Sequence, residues 1–95
     1  MRALVVDDDA TLTTLVRRLL KEDGSAVDVA GKAEDGRTLA RVNDYDAIIL
    51  DLVLPDGNGV QVLQSLRRDG KKTPIIVLTG TKDSEVTVRA LDAGA

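Results

Sequence analysis

Four short aliphatic runs recur along this chain, and the change of pattern after each one restricts the fold more than any other feature. Ala3-Leu4-Val5-Val6, Ala47-Ile48-Ile49-Leu50 and Ile75-Ile76-Val77-Leu78-Thr79 are too short for buried helices and too continuous for half-exposed strands, and Ala26-Val27-Asp28-Val29-Ala30, interrupted by Asp28, reads as a weaker strand of the same kind. Strands of this kind are buried on both sides, as in a parallel sheet. Between them the period changes. Leu12, Leu15, Val16, Leu19 and Leu20 follow the i, i+3, i+4, i+7, i+8 rule of an amphipathic helix, with Gly24 placed to end it. Ala33, Leu39, Ala40 and Val42 suggest a second helix, softened by Gly36, and Val62, Leu63 and Leu66 a third, closed by Gly70. Lys82 to Ala93 reads as a fourth helix, with Val86, Ala90 and Leu91 inward. The order β-α-β-α-β-α-β-α means one parallel sheet with helices on both faces.

Composition narrows the chemistry. At 95 residues the chain holds at most one domain, residues 1–95, and 43% hydrophobic with 31% charged residues is ordinary for a globular protein. A net charge of −3 gives no electrostatic footprint for direct contact with nucleic acid. Tyr45 is the only aromatic residue, so there is no stacking platform for single strands. There is no cysteine and no histidine, which removes thiolate chemistry, His bases and His or Cys metal ligands. No apolar run approaches a membrane span, and the first residues lack a signal-peptide core. A cytoplasmic protein is the expectation.

Ligands of open parallel sheets bind at the carboxyl ends of the strands. Asp7, Asp8 and Asp9 stand after the first strand, Asp51 after the third, and Thr79-Gly80 after the fourth. Carboxylates converging there repel one another, and a hard divalent cation resolves the repulsion; Mg²⁺ uses one or two carboxylates plus waters and phosphate oxygens. A carboxylate can also act as a nucleophile and form an acyl phosphate. Thr79 would offer its hydroxyl to a phosphoryl oxygen, and backbone N–H groups near Gly80 could reach another. Asp9, directly before Ala10, is better read as a helix cap.

These residues resemble the receiver domains of two-component response regulators. Val5-Val6-Asp7-Asp8-Asp9 looks like that family's acidic pocket, Asp51-Leu52-Val53-Leu54-Pro55-Asp56-Gly57-Asn58-Gly59 like its phosphoacceptor segment, and Pro74 to Gly80 like the segment ending in its switch hydroxyl. The resemblance implies a flavodoxin-like doubly wound sheet of order 2-1-3-4. It implies Asp51 as phosphoacceptor, Thr79 as switch and Gly80 as a backbone phosphoryl contact. Mg²⁺ would sit on Asp7, Asp8, Asp51 and the Val53 carbonyl, with Asp8 the more direct ligand of the acidic pair. It also implies a signalling domain rather than an enzyme, with a histidine kinase or phosphotransfer protein as partner. Asn58 and Gly80 depart slightly from the family pattern.

Ala90 to Ala95 resembles the stretch before the family's fifth strand, so the fold is expected to lack that strand, its helix, and the lysine and aromatic residue they carry. Lys82 does not match that lysine. Losing one cation aimed at the phosphoryl group should cost about 2–4 kcal/mol of transition-state stabilisation, by analogy with an oxyanion donor. Mg²⁺ binding with weak or absent phosphorylation is the expectation. The fourth strand would become an open aliphatic edge beside an apolar patch, favouring self-association by edge pairing or by element exchange. The rival readings are an inert receiver-like interaction module or folding fragment, an aspartyl-phosphate hydrolase of the haloacid dehalogenase type, and a dinucleotide loop. The hydrolase needs an acid at position 53, where Val53 stands, and Gly57-Asn58-Gly59 lacks the third glycine of the dinucleotide loop, having Val62 there.

Overall fold

The computed structural model describes residues 1–80 and 86–91. Strands β1 (Arg2–Val6), β2 (Ala26–Ala30), β3 (Ala47–Asp51) and β6 (Ile75–Gly80) alternate with helices α1 (Ala10–Glu22), α2 (Ala33–Val42) and α3 (Gly59–Arg68). A short hairpin, β4 (Val53–Leu54) with β5 (Gly57–Asn58), turns at Pro55-Asp56 after β3. The main sheet runs β2-β1-β3-β6, all parallel, in the expected 2-1-3-4 order. No fifth parallel strand stands among the described residues.

Pleat alternation divides the aliphatic runs between two faces. Leu4, Val6, Ile48, Leu50, Ile75 and Val77 point to one side, where they pack with Ala33 and Ala40 of α2 and Val62 and Leu66 of α3 in one core cluster. Nothing from α1 belongs to that cluster. The right-handed crossover from β1 to β2 puts α1 on the opposite face, with Ala3, Val5 and Ile49. Coverage there is thinner. Leu12, Val16 and Leu20 are half-buried, while Leu15 and Leu19 are 51% and 55% exposed. The apolar stripe of α1 is therefore wider than the sheet surface it lies on, and Ile49 and Ile76 are only half-buried.

Local chemistry sets the helix ends. After α1, Gly24 takes a positive φ of 79° and donates to the Lys21 carbonyl, while Ser25 donates to Leu20. Gly70 does the same after α3, at φ 80°. Gly36 has a different purpose. A Cβ built there would lie 2.8 Å from both γ-carbons of fully buried Val6, so the glycine lets α2 settle directly on β1.

At the amino end of the sheet, buried Tyr45 donates its hydroxyl to Asp28 Oδ2 at 2.6 Å, and the Arg2 guanidinium sits 5.2 Å from its ring centroid. Burial first, then the bond to Asp28, pushes the Tyr45 phenol up to about 12. The same bond holds Asp28 below the usual carboxylate range. The half-exposed Arg2–Asp28 pair at 3.3 Å adds at most about 1 kcal/mol.

Two expectations are corrected at the carboxyl end. Instead of the helix expected over Lys82–Ala93, Val86–Leu91 forms strand β7, antiparallel to β6; the rest of that span lies outside the described residues. Two causes act together. Val86-Thr87-Val88 is β-branched and favours a strand, and β6 offers a row of N–H and C=O groups that an adjacent segment can satisfy. For the same reason the fourth strand's edge is not open, because β7 pairs with it from Ile75↔Leu91 to Gly80↔Val86. Edge pairing between the fourth strands of two copies would first have to displace β7.

Gly36→Ala weighs two opposed effects. A better helix former gains about 1 kcal/mol in α2, against about 1–3 kcal/mol for crowding Val6. The expected outcome is a net loss of about 1 kcal/mol, read from the urea midpoint at unchanged slope; a stabilised variant would show that β1 yields to the added methyl group.

Candidate functional site

The pairing of β1 with β3 brings the acidic residues together. Val5 pairs with Ile49 and Val6 with Leu50, so one further step puts Asp7 opposite Asp51. Both continue the face of Val5 and Ile49, and neighbouring strands lie about 4.8 Å apart. Asp8 comes next as the chain leaves the sheet. Asp7 is buried, Asp51 half-buried and Asp8 exposed, and one carboxylate oxygen from each lies within 4.8 Å of the others. At that separation and an effective dielectric of 20, a fully charged pair repels by roughly 3 kcal/mol, less for exposed Asp8.

Asp7 carries most of this tension. Its backbone N–H bonds to the Ala30 carbonyl at 2.9 Å and its Oδ1 accepts the Asp9 N–H at 2.9 Å. Burial raises its pKa above the usual carboxylate range; the Asp9 N–H opposes the shift, and the charges of Asp51, Asp8 and Asp9 add to it. Asp9 is the cap it was expected to be, its Oδ1 accepting from Thr11 and Leu12 N–H at 3.0 and 3.1 Å. Asp51 Oδ1 accepts the Val53 N–H at 3.2 Å, which folds the chain back beneath the carboxylate. The donor set is carboxylate oxygen alone, and it fits a hard divalent cation rather than a soft one.

Thr79 and Gly80 end β6, and Thr79 comes directly after Leu78, the residue paired with Asp51. The backbone thus brings them to the same end of the sheet, while the Thr79 side chain lies outside what the structure describes. Lys82 also lies outside the described residues.

Two residues shape this site without having been singled out for it. A Cβ at Gly59 would fall 2.2 Å from the Asp51 carbonyl oxygen, so only glycine lets α3 begin against the backbone of Asp51, where its N–H bonds to the Leu52 carbonyl at 2.9 Å. Asp56, at the hairpin tip, accepts the N–H groups of Ala33 at 2.7 Å and Glu34 at 3.1 Å. Those bonds hold Asp56 below the usual carboxylate range. It caps α2 from outside, since Lys32 at the N-cap position makes no side-chain cap. The missing Ser, Thr, Asp or Asn before Ala33 is the sequence sign that some other residue must do so.

Comparison with known proteins settles the family. The model of the response regulator receiver domain matches residues 3–95. The chain belongs to the response regulator receiver domain family. Cell cycle response regulator CtrA of Brucella ovis and of Brucella abortus strain 2308 are each 40% identical over 95 residues, all of this chain and 41% of theirs. The chain therefore spans less than half the length of these relatives. Among solved structures, the receiver domain of Francisella response regulator 1452 is 30% identical at TM-score 0.78, covering 85% of this chain and 67% of that one. The non-phosphorylated HemR receiver domain from Leptospira biflexa is 34% identical at TM-score 0.78, covering 84% and 64%. Response regulator protein TrrA from Thermotoga maritima, in complex with Mg(2+)-BeF, is 33% identical at TM-score 0.77, covering 86% and 71%. The flavodoxin-like receiver fold stands on these likenesses, and receivers are signalling domains rather than enzymes in the ordinary sense. Among the described residues no helix is long and apolar enough to cross a membrane.

A carboxyl whose pKa is raised by folding stabilises the protein fully below its ordinary value of 3.8, and that contribution is lost as pH rises through the raised value. Ionised Asp7 thus destabilises the metal-free receiver near neutrality. Asp7→Asn, which keeps an oxygen for the Asp9 N–H, is expected to be more stable than wild type in EDTA at pH 7.5, with the difference shrinking towards pH 4. Urea melts at both pH values check this; a variant less stable at pH 7.5 would show that the ionised carboxylate is favourably held.

Proposed function

We propose that this receiver accepts a phosphoryl group on Asp51 with Mg²⁺ bound beside it, and that a histidine kinase or phosphotransfer protein in the cytoplasm is the donor. The observation that carries the reading is the meeting of Asp7, Asp8 and Asp51 carboxylates within 4.8 Å, at the strand ends where an open parallel sheet binds ligands. The Mg(2+)-BeF complex of TrrA supports it.

Asp8, Asp51 and the Val53 carbonyl would hold the ion directly, and Asp7 would complete the negative field that draws it in. When bound, the ion supplies charge neutralisation for the phosphoryl oxygens. One Asp51 oxygen then meets phosphorus in line with the departing group. The new O–P bond forms as the donor's P–N or P–O bond breaks, and the leaving group takes the electron pair. The Thr79 hydroxyl and the Gly80 N–H would bind two of the transferred oxygens and report their arrival to β6. Self-association by element exchange would draw on β7, which would have to leave its own β6 for that of another copy.

The test is a Mg²⁺ titration and a mass measurement on the 95-residue chain with acetyl phosphate as donor. Mg²⁺ binding is expected in wild type and is expected to weaken by at least about tenfold in Asp51→Asn, about 1.4 kcal/mol or more. A slow gain of one phosphoryl group is expected in wild type only, because no lysine among the described residues is placed by motif to assist. Equal Mg²⁺ binding by the variant, or phosphoryl transfer to it at the wild-type rate, would overturn the assignment.

A further inference from the structure

Between Asp51 and α3 the chain makes the β4–β5 hairpin, and this hairpin is held at both ends. At its base the Gly59 N–H bonds to the Leu52 carbonyl at 2.9 Å, and the Val53 N–H bonds to Asp51 at 3.2 Å. At its tip Asp56 takes the first two N–H groups of α2, one on each carboxylate oxygen, across 23 and 22 residues of sequence. Helix α2 is in turn locked to β1, the strand that leads into Asp7, by the contact of Gly36 with Val6. Val53 lies on the first arm of the hairpin and Asp56 in its turn, so fixing the tip fixes the Val53 peptide.

We propose that Asp56 is a positioning residue for the metal site: by tying the hairpin tip to the start of α2, it holds the Val53 carbonyl where the ion needs it. This rests on the reading of Asp51 and Val53 as metal ligands. Asp56 lies outside the Asp7-Asp8-Asp51 cluster, and each of its carboxylate oxygens accepts one helix amide, whose partial positive charge suits it. Because the tether ends on α2, it works in both directions. Drawing the Val53 carbonyl onto a cation pulls on Asp56, and the Ala33 and Glu34 amides feel the change.

Mg²⁺ affinity of wild type, Asp56→Ala, Asp56→Asn and Asp51→Asn, each with its thermal unfolding curve, tests this together with amide NMR shifts. Asp56→Ala is expected to bind Mg²⁺ about tenfold more weakly, the lower end of the effect for groups that orient a ligand. Asp56→Asn keeps one acceptor oxygen and should retain most of the affinity with a near-wild-type melting curve, which covers the case where the alanine variant fails to fold. On adding Mg²⁺ to wild type, the Ala33 and Glu34 amide resonances should move, a response that a merely structural cap would not give. Wild-type affinity in Asp56→Ala, or stationary Ala33 and Glu34 amides while Asp51→Asn abolishes binding, would overturn the role of Asp56 and leave the metal site standing. No Mg²⁺ binding by wild type would remove the metal reading itself, and this inference with it.

Discussion

The parallel pairing of β1 with β3 decides both the core and the acidic site. Leu4 beside Ile48 and Val6 beside Leu50 place four almost inaccessible side chains on the face beneath α2 and α3. The alternate positions run Val5 beside Ile49 and then Asp7 beside Asp51. Slipping the pairing by one residue would turn one strand's aliphatic set towards the wrong layer and separate the two carboxylates. The energy that holds like charges together is therefore hydrophobic. Burial of the strand interiors stabilises a register in which the acids have no choice but to meet.

Close backbone approaches refine that arrangement. Gly36 lets α2 rest on Val6, and Gly59 lets α3 start against the carbonyl of Asp51, so both helices press on the strands that end in the acidic residues. Neither glycine is needed for an unusual φ. Both are needed for the absence of a side chain, and any carbon added at Gly59 would meet backbone that cannot swing aside.

The four parallel strands and the carboxylate cluster could be read from the sequence because each rests on local pattern and on where a strand stops. Ala47 to Leu50 is aliphatic at every position, and Asp51 comes at once after it. Features that depend on what surrounds a segment were not legible in this way. Val86 to Leu91 has inner positions compatible with a helix, and its β-branched start becomes decisive only beside the vacant ladder along β6. Leu15 and Leu19 fit a helical stripe, yet their exposure depends on how much sheet α1 can cover. Asp56 sits in a Pro-Asp-Gly turn that explains itself locally, and its bonds to Ala33 and Glu34 come from a contact across 22 residues or more.

Tyr45 gives the molecule a built-in optical reference. It stands before β3 while Asp51 ends the same strand, six residues further on and so about 20 Å away. As the sole aromatic side chain, it is the only source of ultraviolet fluorescence, and its hydroxyl donates to Asp28 rather than to anything near Asp7, Asp8 or Asp51. Its emission should therefore track the integrity of the sheet's far end and stay silent when a cation arrives among the acids. Unfolding can then be followed from one native chromophore, while cation binding has to be read by another signal or by its shift of the unfolding midpoint.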